Sequence, residues 1–363
     1  MNQTPRAFGY RMPAEWKKHQ GTLLAWPHNP TTWEGIVKEA EHVWLGMIEA
    51  LHTGEKILLL VNNAAEEKKV RGLLRKRDVD LKQIEFFHIQ TADVWLRDSA
   101  PIFVTRAAGK KTERAAIQWT FNAWGEKYDD LLADKGLSER IAQRMNEKNR
   151  FVPGIVLEGG SIDVNGRGTL VTTEQCLLNK NRNPLLTKAE IEKYLKEYLG
   201  VSTIIWLKRG VAGDDTDGHV DDFARFVNEK TIVCAVEENE KDANYAVLKE
   251  NFELLKRSVD QDGKKLTVVP LPMPKIVRGR EGRLPASYAN FYIGNKAVVV
   301  PIFNDKSDDR ALEILQKCFP DKKVVGVRSE TIVEGFGGLH CVTQQVPTIE
   351  NKNPSRPEGR GID

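Results

Sequence analysis

Cys341 closes the stretch Gly335-Phe336-Gly337-Gly338-Leu339-His340-Cys341. Three glycines within four positions free the backbone for sharp turns and for close approach by a ligand. A thiol at the end of such a loop has the setting of a nucleophile, although a small buried core residue would give the same pattern. Three polar clusters stand upstream. One is the loop Thr91 to Ser99, which carries Trp95, Arg97 and Asp98. The second is Glu158-Gly159-Gly160-Ser161, and the third is Asp214-Asp215-Thr216-Asp217-Gly218-His219-Val220-Asp221-Asp222. Taken singly, Asp98 with Arg97 could be a surface pair, Glu158 a solvated turn, and the acidic run a solvated loop or calcium site. The last fails as an EF-hand, because its fifth position is Gly218 and its twelfth Arg225. No H-E-x-x-H, P-loop or G-x-S-x-G occurs. The basic stretch Arg278 to Arg283 reads as a solvated loop.

The spacing joins the clusters. Asp98, Glu158, His219 and Cys341 follow one another at 60, 61 and 122 residues, the last interval being twice the others, with the loop near Arg283 to Asn290 roughly midway in it. Between them one phrase recurs: a hairpin, an amphipathic helix, an apolar strand, then a polar or glycine-containing loop. Ile57 to Val61, Ile84 to Phe87, Ile102 to Thr105, Ala115 to Thr120, Ile155 to Leu157, Thr203 to Leu207, Leu266 to Val269 and Val324 to Val327 read as strands. Turns at Asn165 to Gly168, Asn228-Glu229 and Gly294-Asn295 mark hairpins. Capping boxes at Thr31-x-x-Glu34 and Thr187-x-x-Glu190, and a cap at Asn63, predict helix starts. Behind the first, Ile36, Ala40, Val43, Met47 and Leu51 form one apolar face. A period of about 60 residues, met about five times, implies a radially repeated fold with equivalent loops at one end of a ring. Trp95, Asp98, Glu158, Asp217, His219, Asp221 and Cys341 would then converge. Carboxylates, one imidazole and one thiol suit a cationic substrate, a proton carrier and a nucleophile.

Composition narrows the class. The 363 residues are 40% hydrophobic and 29% charged, as in an ordinary globular protein. With 54 basic against 51 acidic residues, the net charge of +3 gives no nucleic-acid footprint. No apolar run is long enough to span a bilayer, and the first ten residues carry no signal core. Cys176, Cys234, Cys318 and Cys341 form no C-x-x-C pair, so neither a zinc knot nor a disulfide scaffold is expected and a reducing, cytoplasmic setting is. No composition break divides the chain, which reads as one catalytic domain over residues 1–363 with its core at about 12–347. No metal or other cofactor is expected.

Several motifs resemble, in chain order, the agmatine deiminase family, whose relatives include bacterial peptidylarginine deiminases. They are Met12-Pro13-Ala14-Glu15-Trp16, Trp26-Pro27-His28-Asn29, Val94-Trp95-Leu96-Arg97-Asp98, Phe121-Asn122-Ala123-Trp124-Gly125, Leu157-Glu158-Gly159-Gly160, Thr216-Asp217-Gly218-His219-Val220-Asp221, Ala286-Ser287-Tyr288-x-Asn290-Phe291 and His340-Cys341-x-Thr343-Gln344-Gln345-x-Pro347. The resemblance implies an α/β pentein fold, a five-bladed propeller of ββαβ units. It implies hydrolysis of a guanidinium to a ureido group with release of ammonia, agmatine being the first-choice substrate. Free or peptide-bound arginine is the alternative within the family, and a metal-dependent hydrolase on the Asp214 to Asp222 run is the rival outside it. Carried over by position, the resemblance makes Cys341 the nucleophile and His219 the acid/base. It makes Glu158 the partner of His219, Asp98 and Asp221 the guanidinium clamps, and Trp95 a pocket wall. Asp215, Asp217 and Gly337 complete the substrate-binding set. The chain departs from the family pattern at Phe336, Gly338 and Asp215, and in the segment 126–136. Partners reduce to a small guanidine, with no nucleic acid and no membrane; assembly into a homo-oligomer is left open.

Overall fold

Five sheets in the computed structural model, which describes residues 3–349 except 110 and 281, obey one pairing rule. In each, two strands pair antiparallel, and a third, reached through helical structure, joins the second in parallel. The first unit comprises Ile102–Ala108, Lys111–Ile117 and Arg150–Phe151. The second comprises Ile162–Val164, Thr169–Thr173 and Thr203–Leu207. The third comprises Ala224–Phe226, Thr231–Val236 and Thr267–Pro272, and the fourth Tyr292–Ile293, Ala297–Ile302 and Lys323–Arg328. The fifth is assembled from both chain ends. Gln344–Pro347 pairs antiparallel with His19–Ala25, which pairs in parallel with Lys56–Val61 across the helix Val37–Leu51. A further helix, Ala64–Arg75, and strand, Ile84–His88, extend that sheet. This is the five-unit α/β architecture of the pentein fold, as the period predicts.

Local chemistry explains the elements. Middle strands such as Ala297–Ile302 are flanked on both edges and buried along almost their whole length, so they read as continuous apolar runs. The helix Val37–Leu51 turns Ala40, Val43, Met47 and Leu51 inward. Each fully buried side chain of Val or Leu size contributes about 1.5–3 kcal/mol relative to exposure. Thr187 and Glu190 form the expected capping box of Lys188–Leu199, and Gly200 ends that helix in the left-handed region at φ 67°.

Three expectations fail locally. Ile155 to Leu157 is not a strand: beyond one isolated bridge, Val156 gives its N–H and C=O to the Asn183 side chain, and Arg150–Phe151 takes the third place in the first sheet. Thr31 and Glu34 do not cap a helix, which starts only at Val37. Thr32 donates to Asp93, and Glu34 pairs with Arg280 instead. The basic stretch is no loose loop either. Arg278–Gly279 and Gly282–Arg283 pair as a short hairpin, with Arg283 bonded to Asp242.

Candidate functional site

The chain enters every unit through a loop that ends two to five residues before the first strand, and these five loops meet. They deliver Asp98, Glu158, His219, Asn290 and Cys341. A cavity of about 460 Å³ opens over them, lined among others by Trp95, Asp98, Asp215, Gly337 and Cys341. His219, Glu158 and Asp221 stand behind this wall, at 1%, 0% and 0% exposure.

Cys341 is held from two sides. Asn290 Nδ2 donates to its sulfur at 3.2 Å, and the sulfur lies 3.9 Å from Asp221 Oδ2. The glycines before it are there for approach. A Cβ on Gly337 would fall 2.3 Å from the Trp95 ring, and one on Gly338 2.3 Å from Asn290 Oδ1. Phe336 takes φ 64°, a conformation that glycine adopts without strain. Burial pushes the Cys341 thiol well up, and the nearby carboxylates of Asp221, Asp222 and Asp98 push it further. The empty site therefore keeps a thiol. A bound cation between those carboxylates would offset their field and favour the thiolate.

The carboxylates are fixed differently. Asp98 accepts from Gly160 N and from Trp124 Nε1, both at 2.9 Å, and burial raises its pKa. Asp221 Oδ2 accepts from His340 Nδ1 at 2.6 Å, while its fully buried Oδ1 has no hydrogen-bond partner among the described residues. That unpaired oxygen is a ready acceptor for a guanidinium N–H. Burial opposes the Asp221 charge, but the His340 hydrogen bond and the His340 and His219 charges hold its pKa down.

His219 Nδ1 lies 3.9 Å from Asp98 Oδ2. Burial disfavours its charge, yet Asp98, the Cys176 sulfur and Glu158 raise its pKa well above the usual histidine value, so it rests protonated. Glu158 does not bond it directly. One Glu158 oxygen accepts from Arg182 Nε at 2.5 Å; the other, like His219 Nε2, has no N or O hydrogen-bond partner among the described residues. A carboxylate oxygen of Glu158, a His219 ring nitrogen and the Cys176 sulfur lie within 4.8 Å of one another. A pairing of Glu158 with His219 alone is thus too simple: Arg182 shares the carboxylate.

Asp215 and Asp217 part company. Asp215 lines the cavity and accepts from the Tyr128 hydroxyl; burial pushes its pKa up to about 6. Asp217 is not among the lining residues. Its carboxylate serves Arg182, Asn181 and Lys127 at 2.7, 2.9 and 3.0 Å, so the expectation that it binds substrate does not fit. The rest of the acidic run is also spent internally. Asp214 accepts from Thr216 N and Gly218 N, and Asp222 from Asn290 Nδ2. Asp221, Asp222 and Cys341 do bring three donor atoms within 4.8 Å, with Asp222 raised well above the usual carboxylate range by burial and by Asp221.

Comparison with known proteins decides the family. Residues 11–347 match the family described as Porphyromonas-type peptidyl-arginine deiminase. The chain belongs to that family. A curated relative from Latilactobacillus sakei, provisionally named an agmatine deiminase, is 38% identical over 96% of this chain and 98% of its own length. The structure of an agmatine deiminase of Enterococcus faecalis superposes with a TM-score of 0.86 at 32% identity, covering 95% of this chain and 98% of that one. An agmatine deiminase of C. jejuni, a cysteine-to-serine variant with substrate bound, superposes at 0.83 and 33%, covering 93% and 96%. The catalysed reaction of this deiminase family is hydrolysis at a guanidino C–N bond.

Sequence reasoning gave no role to several residues of the site. Asn290 ends the loop that falls roughly midway in the double interval and stands in one of the resembling motifs, but nothing in the sequence pointed to its contact with the thiol. Trp124 lines the cavity from a run, Ala123 to Glu126, in which all four φ values are positive. A Cβ at Gly125 would fall 2.3 Å from Asn181 Nδ2, so only glycine fits there. Tyr128, Phe336 and Arg280 also line the cavity. For Tyr128 and Phe336 the signal was the departure of these positions from the family pattern; Arg280 lay in the basic stretch, which carried no such signal.

Proposed function

We propose that this protein hydrolyses the guanidinium of agmatine to N-carbamoylputrescine and ammonia, through a covalent intermediate on Cys341. The observation that carries the reading is the meeting of the buried Cys341 thiol and the Asp98 carboxylate at one cavity, with the His219 imidazole and the Asp221 carboxylate, one of whose oxygens is unpaired among the described residues, directly behind them. A guanidinium carbon is a poor electrophile, since its charge is spread over three nitrogens. Asp98 and Asp221 grip those nitrogens and hold the carbon at attack distance. With the guanidinium bound, the Cys341 thiol gives its proton to solvent and the thiolate adds to the carbon. His219 gives its proton to the departing nitrogen, ammonia leaves, and an S-alkylthiouronium remains on the sulfur. Water, losing a proton to the now neutral His219, adds in turn; the C–S bond breaks, and the ureido product and the thiol are released. Trp95 walls the pocket, Gly337 lets it approach, and Glu158 with Arg182 sets the field at His219.

Agmatine is preferred over arginine because the far end of the cavity offers a carboxylate, Asp215, to a primary ammonium. Arginine would bring its own carboxylate to the same acids. We place the protein in the cytoplasm as one catalytic domain; no helix among the described residues is long and apolar enough to cross a membrane. The test is a screen of agmatine, free arginine and blocked arginine peptides for ureido product and ammonia, before and after exhaustive chelation. Agmatine should lead in kcat/KM and the rate should survive the chelator. Faster turnover of peptidyl-arginine would leave the deiminase chemistry and overturn the substrate. Restoration of a chelated, inactive enzyme by a divalent ion would favour the metal-dependent rival.

A further inference from the structure

Behind Asp221 lies a buried cluster of charges in which His340 is the link to the site. Its Nδ1 faces Asp221 Oδ2 at 2.6 Å and its Nε2 faces Glu15 Oε2 at 2.8 Å, with the ring 2% exposed. Glu15 also accepts from Arg97 at 3.4 Å, Arg225 at 3.0 Å and Ile293 N at 2.8 Å. Arg225 in turn donates to Asp163. An ionised carboxylate only accepts hydrogen bonds, and a neutral imidazole has a single N–H. Two carboxylates on two ring nitrogens therefore require both nitrogens to donate.

Charge balance leads to the same result. Both carboxylates that face the ring, Glu15 and Asp221, are buried, and a cationic His340 adds to Arg97, Arg225 and His219 in offsetting their charge, whereas a neutral ring would leave that burial more costly. The low pKa of Glu15, held down against burial by Arg225, His340 and Arg97, fits this arrangement.

We propose that His340 is a doubly donating, cationic positioning residue, held by Glu15, which fixes the Asp221 carboxylate by Oδ2 and leaves Oδ1 for the substrate guanidinium. The proposal rests on the deiminase reading for its ligand but not for the state of the ring. Its chemistry is hydrogen-bond stoichiometry. A neutral imidazole could satisfy only one carboxylate, and the other would turn or take a proton. Asp221 would then lose either its orientation or its charge, and the clamp would no longer distinguish a guanidinium from a ureido group. Residue 340 thus sets substrate-over-product preference without touching either.

Two measurements test this. In protein labelled with ¹⁵N at histidine, the His340 ring should show two N–H signals at neutral pH. It is identified by its loss in His340→Gln or, should that variant not fold, by cross-peaks to Thr343 in the unaltered protein. A single N–H overturns the proposal. In a Cys341→Ala background, calorimetry then compares agmatine with its neutral ureido product. His340→Gln should lower the ratio of their affinities by about tenfold or more, the scale of one hydrogen bond to a charged group. A general collapse of the site would weaken both ligands alike, and a ratio within twofold of the parent overturns the positioning role. If Cys341→Ala binds no guanidine at all, the deiminase reading fails, while the ring signals still decide the state of His340.

Discussion

The two ends of the cavity are built on different principles. At the inner end every group is buried and cross-braced between repeat units. Asp98 of the first loop is held by Gly160 of the second, Asp222 of the third by Asn290 of the fourth, and Asp221 by His340 of the fifth. The outer end is made of loop side chains in a few polar contacts: Asp215 with Tyr128, and Glu34 with Arg280, the last two 74% and 69% exposed. Rigid, water-excluded groups serve bond-making, because preorganised charge is strongest where no solvent competes. The outer end, braced by fewer contacts, can change its ligand without disturbing the chemistry. Substitutions at the inner end should therefore act on rate, and those at the outer end on KM.

The largest effect should come from Cys341→Ala, which removes the nucleophile. Turnover should fall by about three orders of magnitude or more with the melting temperature nearly unchanged. Mass spectrometry of quenched wild-type turnover should place a substrate-derived adduct on the Cys341 peptide. Cys234 and Cys318 should tolerate serine or alanine in activity assays. An adduct on another cysteine would remove the inner end as the reacting centre.

Next in size is Glu158→Gln. A carboxylate near His219 favours the imidazolium, so neutralising it should lower the histidine pKa and move the corresponding limb of the pH–rate profile to lower pH. Arg182 would also lose one of its two charged partners, keeping Asp217, and kcat should drop by about tenfold to a hundredfold. An unshifted limb would separate Glu158 from the titration of His219.

How much of this was legible beforehand follows the same division. Asp98, Glu158, His219 and Cys341 stood out because the fold repeats, and a repeat places equivalent loops at equal intervals. The strands and helices followed from apolar period and caps, except where a side chain took over the backbone's partners, as Asn183 does at Val156. Direction of a side chain was not legible. Asp215 and Asp217 are two residues apart on one acidic run, but Asp217 sits at φ 67° beside Gly218 at φ 91°. That left-handed pair turns the chain and gives Asp217 to Arg182, a partner 35 residues away in sequence. Nor could local sequence show that His340 is bracketed by acids from positions 15 and 221.

At the outer end, Asp215→Asn should raise KM for agmatine by about tenfold while kcat changes little. Its pH dependence is a sharper test. Burial places the Asp215 pKa at about 6, so above that value the carboxylate is charged and can hold an ammonium. As pH falls through it the charge is lost, and KM for agmatine should climb. In Asp215→Asn this rise in KM near pH 6 should vanish. If it persists, another group meets the tail.

The smallest effect is expected from Arg280→Ala. Exposed ion pairs are worth little, since solvent screens them and ordering two long side chains costs entropy. For agmatine, which presents an ammonium rather than a carboxylate at this end, loss of the Glu34 to Arg280 pair should leave kcat/KM within about twofold, or raise it slightly by removing a like charge. For free arginine the sign reverses. Its α-carboxylate has Arg280 as the one cation among the described side chains that line the cavity, so the variant should lose what arginine activity exists. Steady-state assays of both substrates on this single variant thus read the outer end directly. A clear loss with agmatine, or an arginine rate that ignores the change, would show that the tail of the substrate does not reach the mouth, and that selection is made at the inner end after all.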